Sequence, residues 1–423
     1  MAAEALAACR SPPPRMEAMF YVQRGQVPHK RHTQFRKPDG SLYAEELFGV
    51  EGFSGRASLL YHHTPPTQTH QIEKVRDVGI TAWSDAAHRH YLVNTKDVEP
   101  NGDAVDGRVP LFFNNDVTFG VVRPAAPMER FYRNGEADEM YFVHEGDGVL
   151  ETIFGPIPYG PGDYLVIPIG TTYRLMPAAG SEQRMLWLEC PSNIEPPRRY
   201  RNEFGQLLEH SPYCERDLRP PAEMAPHTET GDFVVEVKTR GRITAYHYGH
   251  HPFDLVGWDG HLWPFAFNIG DFEPITGRVH QPPPVHLTFQ PRNFVVCSFV
   301  PRKFDYHPLS IPAPYNHSNI NSDEVIYYVA GNFMSRRGVD ISSFTVHPAG
   351  IPHGPHPGTV EASIGKEETK ELAVMIDTFH PLHLTEQAAA LEDERYPYSW
   401  IPPEDSAEHA RELSERGPEA FPD

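Results

Sequence analysis

A stretch with side chains suited to metal chemistry lies at residues 314–331, PYNHSNINSDEVIYYVAG. It holds His317, a run of small polar residues, and two adjacent carboxylates, Asp323 and Glu324, which open an apolar segment typical of a β-strand. Neighbouring side chains of a strand point to opposite faces, so only one of the two carboxylates can face a barrel interior. Taken alone, the stretch also fits a plain turn that enters a strand.

Two further segments concentrate histidines, the commonest metal ligands and proton carriers near neutral pH. They are GRVHQPPPVH (277–286) and VHPAGIPHGPH (346–356). Any chemistry that joins these segments to His317 requires a fold that brings distant parts of the chain together.

The composition favours strands as the elements that position these residues. The chain of 423 residues has 44 Pro and 32 Gly, which argues against long helices and for short strands joined by turns. Its net charge of −20 disfavours a nucleic-acid partner, because phosphate binding requires a basic surface. The sequence has no run of about 18 apolar residues, so no membrane span is predicted. Scattered cysteines without a CxxC pair favour a reducing cytoplasm.

Two pairs of segments repeat one pattern in the same order. FYRNGEADEMYFVHEGDG (131–148) aligns with NHSNINSDEVIYYVAGNF (316–333), and GDYLVIPIGTTY (162–173) aligns with SSFTVHPAGIPH (342–353). Tyr132 then falls on His317, Glu139 on Glu324, Asn134 on Asn319 and Tyr173 on His353. We therefore predict two copies of one β-barrel.

Each copy resembles a cupin. The first cupin motif ends in Glu, six residues and Gly, and both copies match it, at 139–146 and 324–331. The second motif closes with Pro-x-Gly-x-x-His, which the C-terminal copy matches at 348–353, whereas the N-terminal copy ends in Tyr173. The resemblance implies an all-β bicupin of two jelly-roll barrels, with short helices near the C-terminus and no metal ligands in the N-terminal barrel. It implies these ligands in the other barrel: His317, Glu324 and His353.

A single His–Glu–His set near the C-terminus resembles the homogentisate 1,2-dioxygenase family. PYNHSNINSDE, the Pro-His-Gly-Pro at 352–355 and LYAEELFG (42–49) are similar to segments of that family. Two histidines and one carboxylate leave three positions open on Fe(II), as in non-haem oxygenases. A zinc hydrolase site accepts the same set, so the ligands alone do not name the metal.

The resemblance also implies roles for residues around the metal. His280 matches the histidine thought to act as acid and base near the substrate phenol, and His286 is the alternative. His347 and His356 flank His353 and are candidates for orienting a ligand or the substrate, as is Asn319.

One departure from the family bears on the substrate. Where the family reads Arg-Gly-His-Tyr after the ligand Glu, this chain has Ala330, Gly331, Asn332 and Phe333. A site built to hydrogen-bond a polar group of its substrate strongly rejects analogues that lack that group. Phe333 lacks the hydroxyl of the family's Tyr, and Ala330 lacks the guanidinium of its Arg, so these changes favour a different substrate. Arg336–Arg337 is an alternative partner for a carboxylate, against the simpler interpretation of a solvated hairpin tip.

These residues lead to an expected function. We expect an Fe(II)-dependent aromatic ring-cleaving dioxygenase of tyrosine and phenylalanine catabolism, which opens homogentisate or a related para-hydroquinone to a maleyl-type product. The alternatives are a ring-cleaving enzyme for gentisate, hydroquinone or a natural-product phenol, and a metal-binding cupin without oxygenase activity. The resemblance implies O₂ and a small aromatic molecule as substrates and a trimeric or hexameric homo-oligomer, and the scattered cysteines favour the cytoplasm.

We expect the following organisation along the chain. Residues 1–15 are predicted to be a disordered tail, and 16–285 an N-terminal β domain that holds the degenerate cupin at about 110–195. Residues 286–423 are predicted to be the C-terminal catalytic cupin and tail.

Overall fold

The structure is a computed structural model that describes residues 20–331, 333 and 338–402. The predicted tail over residues 1–15, the Arg336–Arg337 pair and the charged end after Pro402 lie outside the described residues.

Strands dominate the described chain, as the composition predicts. In the N-terminal part they are β1 (Val22–Gly25), β2 (Ala44–Gly49), β3 (Ala57–His62), β4 (Gln71–Asp77), β5 (Tyr91–Asn94), β6 (Arg108–Phe113), β7 (Thr118–Val122), β8 (Phe131–Asn134), β9 (Asp138–Glu145), β10 (Gly148–Thr152), β11 (Gly155–Tyr159), β12 (Asp163–Ile167), β13 (Thr172–Pro177), β14 (Arg184–Cys190), β15 (Thr230–Thr239), β16 (Arg242–His250), β17 (Leu255–Gly260) and β18 (Phe265–Asn268). In the C-terminal part they are β19 (Leu287–Phe289), β20 (Phe294–Phe299), β21 (Arg302–Lys303), β22 (Asp323–Ala330), β23 (Ser343–His347), β24 (Glu368–Thr369), β25 (Leu372–Thr378) and β26 (His383–Leu384).

Helices are short and lie near the C-terminus, as expected. They are α1 (Thr359–Ser363) and α2 (Glu386–Ala390), with single 3-10 turns elsewhere, among them Tyr396–Tyr398. The side chain of Thr385 accepts a hydrogen bond from the amide of Ala388 and so caps α2, an interaction worth about 1 kcal/mol.

The N-terminal barrel is built from two sheets. The outer sheet has the order β11-β10-β13-β8-β15-β16-β4, and the inner sheet has the order β18-β12-β9-β14-β7-β6-β26. Side chains from both sheets close a buried interior that includes Tyr132, Tyr141, Leu150, Tyr173 and Trp187. A smaller sheet, β1-β17-β3-β2, joins the N-terminal segment to β17.

The C-terminal barrel is built around one sheet, here called the ligand sheet, with the order β19-β20-β25-β22-β23-β5. The pair β21-β24 belongs to a separate small sheet. Alternate residues of β22, such as Val325 and Tyr327, pack in one core with Phe142 and Leu186 of the inner sheet. The two barrels therefore pack through the apolar faces of these sheets, and the Glu324 side of β22 faces the other way.

The two barrels also exchange strands. β5 from the N-terminal part pairs with β23 in the ligand sheet, and β26 from the C-terminal part pairs with β6 in the inner sheet. The division at residues 285 and 286 stays a prediction, and sheet membership crosses it in both directions.

The strand register reproduces the repeat found in the sequence. Tyr132 pairs with Tyr173 in the N-terminal barrel, as His317 pairs with His353 in the C-terminal one. Glu139 pairs with Ile167, as Glu324 pairs with His347. The predicted all-β bicupin is confirmed. In residues 20–331, 333 and 338–402, none of the helices is long and apolar enough to cross a membrane.

Candidate metal centre

Strand β22 decides which acid of the pair faces the candidate site. Its sequence, DEVIYYVA, is rich in β-branched and aromatic residues, and it is followed by Gly331, whose φ of 101° favours glycine. Gly146 follows the equivalent strand β9 and has a φ of 98°. This matched geometry holds Glu324 and Glu139 at the same position in the two barrels.

Asp323 points away from the candidate site and serves the backbone. Its Oδ1 accepts a hydrogen bond from the amide of Ala349 at 2.7 Å, and its Oδ2 accepts one from Leu382 at 2.7 Å. In the other barrel, Asp138 accepts equivalent bonds from the amides of Ile169 and Ile194. Asp323 and Asp138 thus each bind two backbone amides from separate loops and hold those loops together in their barrels.

His317 and His353 meet at an antiparallel bridge. The amide of each donates to the carbonyl of the other, at 2.8 and 2.9 Å, and the two imidazole centroids lie 4.2 Å apart. One ligand atom each from His317, Glu324 and His353 lies within 4.8 Å of the others. The structure therefore brings together all three residues that the resemblance implied as metal ligands.

The electrostatics of Glu324 suit a metal ligand. His317 Nε2, His347 Nδ1 and His353 Nε2 lie 3.4, 2.8 and 3.2 Å from its carboxylate oxygens. Burial alone raises the pKa of Glu324, but the three histidine rings that face its carboxylate outweigh this effect and hold that pKa well below its usual range. The carboxylate is therefore ionised and available to a cation.

The histidine side chains provide a test of whether a metal fits. Both ring nitrogens of the buried His353 lack a hydrogen-bond partner among the described residues, although Nε2 lies close to Glu324. A buried polar atom without a partner is costly, and a bound metal would satisfy one of these nitrogens. His317 is 30% exposed, so the centre opens towards solvent on its side. Two imidazoles and a carboxylate fit Fe(II) or Zn²⁺.

His347 and His356 lie directly behind the ligands. His347 is fully buried, and its ring stacks on that of His353 at 4.2 Å. It joins Glu324 Oε1 through Nδ1 and the hydroxyl of Tyr396 through Nε2, at 2.8 and 3.0 Å. His356 is also buried, with Nε2 3.1 Å from Ser399 Oγ. His347 therefore lies where it can orient Glu324 and His353, whereas the contacts of His356 are to Ser399, Tyr396 and Trp400.

The other predicted site residues lie further out. His280 is 60% exposed, its Nδ1 is 2.7 Å from Asp305 Oδ2, and its ring is 5.7 Å from that of Tyr315, which lies 6.1 Å from His317. Asn319 lies in the turn after His317, and its carbonyl accepts from the amide of Ser322.

Phe333 and His286 are both buried. Phe333 packs edge-on against Tyr328 at 4.4 Å, and Tyr328 shares the Glu324 face of β22. His286 packs against Phe299 at 4.6 Å, and burial lowers the pKa of His286 to about 3. A neutral, buried imidazole at this position favours a structural role for His286.

Four residues near the site escaped the sequence analysis. Asp377 pairs with Glu324 across the sheet, and burial raises its pKa well above the usual range. The rings of His90, Tyr396 and Trp400 lie within 6.2 Å of the ring of His347. Tyr396 and Trp400 stand out in the sequence as aromatic residues in a polar C-terminal segment. That pattern marks them as candidates for contact with the fold, but it does not indicate which residues they contact.

The N-terminal barrel carries a guanidinium at the position equivalent to the candidate metal centre. Arg108 Nη1 lies 2.8 Å from Oε1 of Glu139, which is fully buried. The hydroxyl of Tyr173 donates to the other carboxylate oxygen at 2.7 Å and lies 3.1 Å from Arg108 Nη2. A guanidinium therefore balances the acid in this barrel, where tyrosines replace both histidines.

Fold and site together define a bicupin in which one barrel carries a His–Glu–His cluster and the other an internal ion pair. Residues 22–269 match the family model described as homogentisate 1,2-dioxygenase N-terminal. The chain belongs to the homogentisate 1,2-dioxygenase family, and the prediction of an aromatic ring-cleaving dioxygenase is confirmed.

Individual relatives agree with the family. Over 386 residues the chain is 44% identical to a Saccharolobus solfataricus protein named "Putative dioxygenase". The matched region covers 90% of this chain and 99% of the relative. It is 24% identical over 400 residues to homogentisate 1,2-dioxygenase of Rhodopseudomonas palustris, with 86% and 87% covered. A solved cupin 2 conserved barrel domain protein of Leptotrichia buccalis is 9% identical to this chain, and the match covers 71% of this chain and all of that one with a TM-score of 0.31.

Proposed function

We propose that this protein is an Fe(II)-dependent dioxygenase that opens the ring of homogentisate or a closely related para-hydroquinone to a maleyl-type product. The observation that carries the proposal is the cluster of His317, Glu324 and His353 in a chain of this family, with ligand atoms within 4.8 Å of one another. In the proposed reaction both atoms of O₂ enter the product and one ring carbon–carbon bond breaks, so no external reductant is consumed.

The three ligands would hold Fe(II), which supplies open positions for the substrate and O₂ and transfers electrons between them. Glu324 brings the negative charge, and its low pKa keeps that charge in place without a proton. His347 fixes the orientation of the carboxylate from the buried side.

His280 is the proposed acid and base. Asp305 Oδ2 lies 2.7 Å from Nδ1, which favours the tautomer with the proton on Nδ1 and leaves Nε2 to accept a phenolic proton. Its exposed position suits proton exchange with solvent at the edge of the site. A substrate phenol has to lie within hydrogen-bond reach of Nε2 for this role.

A second candidate is a ring-cleaving dioxygenase for gentisate, hydroquinone or a natural-product phenol. The observation that favours it is Phe333, whose ring is buried against Tyr328 and offers no hydroxyl to a substrate substituent. A pocket that has lost a polar contact loses its strong discrimination between analogues.

The test is oxygen uptake by protein loaded anaerobically with Fe(II), using homogentisate, gentisate and hydroquinone in parallel. We expect uptake with homogentisate and a ring-opened product of matched stoichiometry. Oxygen uptake with gentisate alone would show that gentisate, and not homogentisate, is the substrate. No oxygen uptake with any phenol would refute the proposal.

Metal content tests the ligands separately from activity. His317→Ala is expected to lose stoichiometric iron, because two protein ligands remain. His380→Ala is the matched control, because His380 pairs with Asp116 and is 61% exposed, and it should keep its iron. Iron retained by His317→Ala would show that the ligand assignment is wrong.

Location and assembly are part of the proposal. We propose a cytoplasmic homo-oligomer, trimeric or hexameric, on the basis of the family resemblance. Light scattering after size-exclusion chromatography should give three or six times the chain mass of 47.8 kDa, and the mass of a monomer would refute it.

A further inference from the structure

A short segment close to the C-terminal end of the described chain lies beside the candidate metal centre. This segment, Tyr396 to Trp400, is here called the C-terminal clasp. It makes three side-chain hydrogen bonds to the stretch 347–356, which contains the ligand His353. The bonded pairs are between 43 and 49 residues apart in the chain, so local sequence does not dictate them.

The first contact acts through His347. The hydroxyl of Tyr396 lies 3.0 Å from His347 Nε2, and His347 Nδ1 lies 2.8 Å from Glu324 Oε1. Tyr396 is 3% exposed, so this chain of bonds is shielded from water. Tyr396 therefore limits the rotation of His347 and, through it, of the Glu324 carboxylate.

The other two contacts act on the turn that follows His353. Trp400 Nε1 donates to the carbonyl of Gly354 at 3.0 Å, and Ser399 Oγ lies 3.1 Å from His356 Nε2. The Trp400 ring also lies 4.8 Å from the ring of His356. These contacts hold the backbone on the C-terminal side of the ligand His353.

The clasp is attached to the same sheet as the ligands. Asn94 donates to the carbonyl of Leu391, and Asp393 donates to the carbonyl of Leu92, so the segment before the clasp runs along β5. His90, just before β5, places its ring 4.8 Å from Trp400 and 6.1 Å from His353. The clasp thus has a fixed base from which to position the ligand residues.

We propose that the C-terminal clasp positions the metal ligands, with Tyr396 and Trp400 as its principal residues. The proposal rests on the metal centre of the proposed function. Mutation of residues that orient metal ligands typically changes metal affinity by about 10–100-fold. A clasp that served only to stabilise the fold would leave the affinity of folded protein unchanged.

The test uses Co(II) as the probe, with binding followed by equilibrium dialysis and by the visible spectrum of the saturated protein. Tyr396→Phe removes only the hydroxyl, and Trp400→Phe removes the indole donor. Each is expected to weaken Co(II) binding by about 10-fold and to alter the visible bands at saturation. Tyr21→Phe is the matched control, because it likewise removes a hydrogen-bonded hydroxyl, here one that donates to Asp259 of β17 outside the ligand sheet, and it should bind as the unmodified protein does.

The outcomes separate this inference from the proposed function. If the unmodified protein binds no Co(II), or if His317→Ala binds it equally well, the metal centre itself is wrong and the clasp proposal falls with it. If His317→Ala loses binding while Tyr396→Phe and Trp400→Phe keep the original affinity and spectrum, only the clasp proposal is overturned. A lower melting temperature of the metal-free variants with unchanged affinity would overturn it in the same way.

Discussion

The internal ion pair of the N-terminal barrel gives the sharpest prediction. Arg108→Met keeps much of the side-chain volume but removes the cation beside Glu139, which is fully buried. The side chain of Arg108 is itself only 8% exposed, so water cannot replace it without a change in the barrel. The carboxylate would be left with the hydroxyl of Tyr173 and the amide of Asn134.

The expected loss is large for one substitution. Breaking a buried ion pair by removing one partner typically costs about 3–5 kcal/mol, because the remaining charge is uncompensated. Three tyrosine hydroxyls at 3.5 Å or less from the guanidinium lose a donor at the same time: those of Tyr132, Tyr141 and Tyr173. We therefore expect Arg108→Met to lose about 3–5 kcal/mol of unfolding free energy.

The assay is unfolding in guanidinium chloride, followed by tryptophan fluorescence. Trp187 is a suitable reporter, because its ring lies 4.5 Å from the Arg108 guanidinium carbon. The double variant Arg108→Met, Glu139→Gln should recover much of the loss, because a neutral amide is cheaper to bury than an unpaired carboxylate. Arg242→Met is the matched control, since its pair with Asp77 is exposed, and it should change little.

Two results would refute this reasoning. One is a loss from Arg108→Met of less than about 1 kcal/mol, the range of a surface ion pair. The other is a double variant that is no more stable than Arg108→Met. Either result would show that the guanidinium does not balance the acid in the way that a metal is proposed to do in the other barrel.

Three further predictions concern pH and the acid pair. Burial lowers the pKa of His62, but the hydrogen bonds that its ring donates to Asp254 and Glu46 outweigh this effect and raise that pKa to about 8. The melting temperature should therefore fall as pH rises through 8, by the equivalent of about 2 kcal/mol, and His62→Gln should flatten this dependence. Burial lowers the pKa of His286 to about 3, so stability should fall as pH drops below about 6.5. His286→Gln should therefore shift the midpoint of acid unfolding, followed by circular dichroism, to lower pH. An unchanged midpoint would contradict this expectation. Asp323→Asn should lose about 1–3 kcal/mol of unfolding free energy, because one of the two backbone amides bonded to Asp323 loses its acceptor. The variant should still bind metal. Loss of metal without a change in stability would show that Asp323, and not Glu324, is the metal ligand.

Much of the candidate site follows from local pattern. Strand alternation places Asp323 and Glu324 on opposite faces, and the repeat selects Glu324 as the residue that shares its register with Glu139. The pairing of His317 with His353 follows from the same register, because their counterparts Tyr132 and Tyr173 also pair. A pattern with a period of two residues fixes the face of a side chain wherever the strand lies.

The sequence by itself determined the strand-rich bicupin and the three ligand candidates, since both depend on spacing within short segments. Only the tertiary structure decided that Arg108 lies beside Glu139 in the other barrel, that β5 and β26 cross between barrels, and that Tyr396 and Trp400 contact His347 and Gly354 next to the ligand candidates. These features join residues far apart in the chain. Periodicity states which face a residue is on, but it carries no information about which distant segment will pack against that face.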